Sequence, residues 1–272
     1  MAGCLLAAVL LAGGASGANG ASEHLKLQYE FYAKGLRVYT LAVDLELQQD
    51  QYAIQAAAKT VGILDLFGSD SYRAEVRGRY GERTVTPGSF ESLSGKAKSV
   101  TLRWQADGSP AVTRSFELSD FKASSIAAAM EPGMPDPLSA MMAAALEAPE
   151  APCRGSYKVF DGEEIYRLTF SYRGEDPFED GDAGVYRGEA YRCDLQVEPI
   201  AGKSRKKLEK ARRKLPPPIA LWMAPVRSRL SGRTMLVPVG GIAQSGGTEV
   251  VIYLNAATIA GEPLNARSLA SR

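Results

Sequence analysis

Few residues in this chain are of the types that perform chemistry, and their spacing excludes most of it. There is a single histidine, His24, so neither a Cys/His zinc site nor a Ser-His-Asp hydrolase has the residues it needs. No serine lies in a G-x-S-x-G setting. The acidic run Glu175 to Asp182 puts Asp176, Asp180 and Gly181 at the first, fifth and sixth positions of a calcium loop. Phe178 then stands at the third position and Arg187 at the twelfth, where oxygen ligands are required, so the run reads as a solvated hairpin loop. Val239-Gly240-Gly241 and Ser245-Gly246-Gly247 lack the spacing of a phosphate loop and read as turns or bulges. No metal, no cofactor and no catalytic residue is expected.

Charge is balanced over the chain, with 32 Lys and Arg against 31 Asp and Glu, so nothing pulls the whole molecule toward nucleic acid. The imbalance is local. Lys203, Arg205, Lys206, Lys207, Lys210, Arg212, Arg213 and Lys214 crowd into one run, opposed only by Glu209. As a short basic helix it could meet anionic lipid head groups, at about 1 kcal/mol per cation near a charged surface. The plainer alternative is a solvated connector between strands.

The thiols point to a compartment. Residues 4–12 are apolar and residues 13–21 are small, the pattern of a secretory signal over 1–21, cleaved after Ala18 or Ala21. The run is shorter than the roughly 20 apolar residues needed to span a bilayer. Export removes Cys4 and leaves Cys153 and Cys193, an even number in an oxidising compartment, which favours a disulfide. Closing a loop of that size contributes on the order of 4 kcal/mol in the chain-entropy model. The expected location is the periplasm, as a soluble chain or one peripheral to a membrane.

The elements that must position these residues are mainly strands. Leu25 to Phe31, Tyr39 to Leu47 and Tyr52 to Thr60 alternate apolar and polar residues with period two, as half-buried strands of a meander do. Ile63 to Gly68 reads as a helical turn, followed by strands around Tyr72–Tyr80, Thr84–Thr86, Val100–Trp104 and Ala111–Leu118. Asp107-Gly108 and Asp161-Gly162 are hairpin signals, and a two-residue turn there would need positive φ at both positions. Asp136 with Pro137 starts a helix over 136–147 that is apolar nearly all round and therefore buried. It divides an N-terminal from a C-terminal group of strands. Tyr166–Tyr172, Tyr191–Val197, Ile219–Met223, Thr234–Val239 and Glu249–Leu254 complete the second group. His24 reads as an exposed residue on a strand edge.

At Phe160-Asp161-Gly162, at Tyr186 through Cys193, and at Ile200-Ala201-Gly202 the chain resembles the proteobacterial periplasmic proteins grouped as domain of unknown function 3108. Tyr29, Gly35 and Asp136-Pro137-Leu138-Ser139 fit the same family. The resemblance implies an exported, β-rich envelope protein and supplies no catalytic residues. In architecture the chain also resembles the curved-sheet lipoprotein carriers of the periplasm, a likeness of fold only.

The expected fold is one mainly β domain over 22–261 followed by a loose tail over 262–272. Strongly curved antiparallel sheets would form an open barrel or β-spiral, with one buried helix and one short basic helix. Such a concave face could bind an apolar ligand or a partner segment, lined by Leu41, Val43, Ile54, Leu138, Met141 and Met142. The alternative is a structural or interaction protein whose core is filled and holds no ligand. Lipid or another envelope protein is the expected partner.

Overall fold

The computed structural model describes residues 21–62, 70–95, 97–147, 150–176, 178–179 and 186–263. Residues 1–20, where a signal sequence is expected, residues 63–68, where a helical turn is expected, much of the acidic loop and the tail beyond 263 fall outside the described residues.

The first group of strands is a meander: β1 (Glu23–Ala33), β2 (Leu36–Leu47), β3 (Gln51–Thr60), β4 (Ser71–Tyr80), β5 (Val85–Ser94), β6 (Ser99–Trp104) and β7 (Pro110–Arg114). Each strand pairs antiparallel with the next. Lys34 and Gly35 both have positive φ and make a two-residue hairpin between β1 and β2. β5 runs well past the short strand expected at Thr84–Thr86. Pro87, which cut the apparent pattern, sits at a bulge opposite Gly78, where a missing ladder donor is tolerated. β7 ends at Arg114, before the expected Leu118.

Two helices follow, α1 (Asp120–Ala129) and α2 (Pro137–Ala145). α2 was legible in the sequence. α1 was not, because Ala123, Ser124, Ser125, Ala127, Ala128 and Ala129 show no apolar stripe. The second group contains β8 (Ser156–Phe160), β9 (Ile165–Glu175), a small hairpin of β10 (Phe178–Glu179) with β11 (Arg187–Gly188), and β12 (Tyr191–Ala201). The basic α3 (Arg205–Arg213) leads into β13 (Ile219–Arg227), β14 (Thr234–Ser245), β15 (Thr248–Ile259) and β16 (Glu262–Pro263). Gly246 and Gly247 both take positive φ in the β14–β15 turn. β16 pairs with β15, so the tail is held for its first two residues.

All the long strands belong to one antiparallel sheet, in the order β7-β6-β5-β4-β3-β2-β1-β15-β14-β13-β12-β9-β8. The order turns on β1, which lies between β2 and β15. His24 is therefore mid-sheet rather than on an edge, and its Nδ1 lies 2.9 Å from Asp44 Oδ1.

The sheet is open but bends until distant strands touch. Arg114 on β7 donates to the Gly162 carbonyl in the β8–β9 turn. Arg233, between β13 and β14, donates to the carbonyl of Gly81 in the β4–β5 turn. The gap between the two end strands is bridged by residues 131–136: Gly133 N donates to Gly108 O, Trp104 Nε1 to Met134 O, and Phe160 N on the free edge of β8 accepts this segment by donating to Pro135 O.

Candidate functional site: the concave face and the α1–α3 surface

The apolar residues expected to line the concave face do not form one open pocket. α2 lies within the curve, in contact with β4 and β5 on one side and with β8 and β14 on the other. Ile54 and Met142 are 5% and 2% exposed and belong to a continuous apolar core. Leu41, Val43 and Leu138 pack on the edge of that core and stay partly exposed. Met141 points elsewhere, into a second cluster formed by Val159, Leu168, Phe170, Leu195 and Leu221. The helix thus packs against β4, whose small Ala74 belongs to the same core as Met142.

One polar chain crosses this interior. Asp136 caps α2, its Oδ1 accepting from Leu138 N and Ser139 N at 2.9 Å each. Its Oδ2 accepts from Ser139 Oγ, and Ser139 Oγ lies 2.7 Å from the hydroxyl of Tyr52 on β3. Asp136 and Ser139 are both fully buried. Burial pushes the Asp136 carboxyl up to about 6, against the pull of its hydrogen bonds, and pushes the Tyr52 hydroxyl up as well. An acid, a hydroxyl and a phenol lie here in sequence, with the first two closed off from solvent. Their work is to pin the helix to the sheet.

Cys153 and Cys193 are bonded, with Cα atoms 5.9 Å apart. Cys153 is not part of a strand. It lies in the connection ahead of β8, with φ at 58°. The bond ties the exit of α2 to β12, both sulfurs buried in the second cluster.

Glycines of the motif residues meet at one junction. Asp161 has no positive φ; the β8–β9 turn is instead closed by Asp161 Oδ1, which accepts from Glu163 N and Glu164 N. Gly162 and Gly202 do take positive φ. A Cβ on Gly162 would come within 2.1 Å of Val100, and one on Gly202 within 2.2 Å of the Glu163 carbonyl, so close approach as well as φ demands glycine at both. These residues are structural.

The outward side of the first strands carries a groove of about 730 Å3 between Lys26, Asp44, Gln55, Arg73 and Glu91, floored by Ala42 and Ala57. Its charges are of both signs, and Lys26 faces Asp44 at 3.6 Å. Among the described residues no three of His, Cys, Asp and Glu converge on a metal position.

The basic run forms α3 as expected, packed on β12 through Leu208. Lys203 is paired with Glu164. Arg205 stacks 5.1 Å from the centroid of Phe121 on α1. Lys206, Lys207, Lys210, Arg212, Arg213 and Lys214 are exposed. Sequence reasoning found these cations but missed the neighbouring helix that gives them context.

A family model described as a protein of unknown function, DUF3108, matches residues 28–233. The comparisons with curated proteins and with solved structures return no match.

Proposed function

We propose, taking as premise that this chain belongs to the DUF3108 family of proteins of unknown function, that it is an exported, non-enzymatic envelope protein acting as an interaction scaffold with a filled interior. The observation that carries this reading is the position of α2. It occupies the concave side of the sheet, with Met142 and Ile54 inside the core they share. The disulfide supports an oxidising compartment such as the periplasm, since buried thiol pairs are kept reduced in the cytosol. Binding then falls to the outer surface.

Native mass spectrometry of the protein purified from an envelope fraction, followed by lipid extraction, tests the proposal. The expected mass is that of the mature, oxidised chain alone. A stoichiometric apolar molecule that survives purification would sink it. That result would favour a second reading, in which an apolar ligand rests against the partly exposed Leu41 and Val43 where the packing of α2 gives out.

A further inference from the structure

α1 is an unusual surface helix. It buries Ile126 and packs Ala129 against the core, while Phe121, Ala123, Ser124, Ala127 and Ala128 are exposed. A helix on a protein surface ordinarily presents mostly polar residues to water; this one presents the methyl groups of three alanines and the ring of Phe121, 36% exposed, with Asp120 and Ser124 as its exposed polar residues. α3 is the opposite. With Leu208 turned inward, the period of 3.6 residues per turn sets Lys206, Lys210 and Arg213 along the outermost stripe. Among the described residues none of the six cations from Lys206 to Lys214 forms an ion pair.

The two helices are fixed side by side. Arg205 at the start of α3 stacks on Phe121 at the start of α1, and Gly202 N, just before α3, donates to Ser125 Oγ of α1 at 3.1 Å. An exposed apolar strip therefore adjoins an exposed cationic strip. Beyond the end of α3, Leu215 is also 41% exposed.

We propose that the α1–α3 surface docks on an anionic lipid surface, α3 meeting the phosphates and the Phe121 side of α1 entering the head-group layer. Charge beside hydrocarbon is the order in which a bilayer interface offers its own groups, and α3 and α1 divide between them what a single interfacial helix carries on its two faces. The whole chain carries a net charge of only +1, so attraction to an anionic membrane is concentrated at this patch and orients the molecule. The proposal rests on the outer-surface reading above, and its test separates the two: a ligand in the interior would end the filled-core reading without touching vesicle binding.

The experiment is sedimentation of the full mature protein with vesicles of phosphatidylcholine, alone or mixed with phosphatidylglycerol, at low and high salt. Binding is expected only to the mixed vesicles and only at low salt. The triple variant Lys206→Glu, Lys210→Glu, Arg213→Glu should partition at least about a hundredfold more weakly, from about a factor of five per cation lost, with the added carboxylates repelled as well. Its melting temperature should fall by only a few degrees, because the three side chains are exposed and unpaired and lose only the favourable interaction of Lys210 and Arg213 with the end of the helix. Phe121→Trp should shift its emission to the blue, relative to the parent protein, on the mixed vesicles and not on polyglutamate. The proposal is overturned if the parent ignores phosphatidylglycerol or the triple variant binds as the parent does. It is equally overturned if polyglutamate binds as tightly as the vesicles while the Phe121→Trp emission stays put, which would mark the patch as a site for acidic protein.

Discussion

The two ends of the sheet solve the burial problem differently. In the first strands, one face is dry and the other wet. Val76, Phe90 and Leu102 are fully buried, yet each is flanked in sequence by a charged residue turned to solvent, such as Arg77, Glu91 and Arg103. In the later strands both faces are dry over part of their length. Val159 and Phe160 are adjacent and both fully buried, as are Met223 and Ala224 on β13, and Met235, Leu236 and Val237 are three in a row on β14. Alternate members of that row serve different cores: Met235 and Val237 face the main one, Leu236 the cluster that holds the disulfide. A one-sided sheet tolerates change at every second position. A two-sided one does not, and that is also where the crosslink sits.

The sharpest way to break this contrast is to remove the crosslink. Replacing both Cys153 and Cys193 by Ser should lower stability by about 4 kcal/mol, from the 40-residue separation it closes. Chemical denaturation of the oxidised parent and the double variant measures this; equal midpoints would mean the second half needs no brace.

Next in size, Leu236→Ala should cost on the order of 3 kcal/mol. Arg103→Ala, at an outward position of the first half where its Glu91 pair is exposed, should stay within about 0.5 kcal/mol. Similar losses at the two sites would erase the distinction.

The third effect concerns the link between the halves. The Asp136 carboxyl titrates near 6 in the folded chain, above its unfolded value of 3.8. The folded state therefore holds more protons than the unfolded state between those values, and stability rises as pH falls from about 7 to about 4. The gain is about 2–3 kcal/mol at most. Asp161, also raised by burial, adds in the same direction. Asp136→Asn keeps the acceptor for Leu138 N and Ser139 N and should flatten the slope of stability against pH. A variant with an unchanged slope would assign the titration elsewhere.

Much of the fold could be read without coordinates. The meander was visible because β1 to β4 keep strict alternation, which a half-buried strand requires. α2 was visible because Asp136 and Pro137 announce its start and its residues are apolar all round. β5 was cut short by Pro87, since a bulge that excuses a proline depends on the partner strand. β13 and β14 were longer than expected because their consecutive apolar residues show no alternation when both faces are buried. Of the residues expected to line a ligand, Leu41, Val43, Ile54, Leu138 and Met142 lie in or against the main core and Met141 against the second cluster; inward positions are shared between a packed helix and a cavity, and composition does not distinguish them.

What the sequence determined by itself is local: strand periodicity, helix capping, the glycines that turns demand, and two thiols in excess of any other chemistry. What the tertiary structure decided is which distant pieces meet. The pairing of β1 with β15 joins two groups of strands into one sheet, α2 rather than solvent occupies the curve, and α1 is set against α3. Periodicity is written into neighbouring residues by backbone geometry, whereas the choice of partner is settled by burial summed over the whole chain, and no single stretch carries that sum.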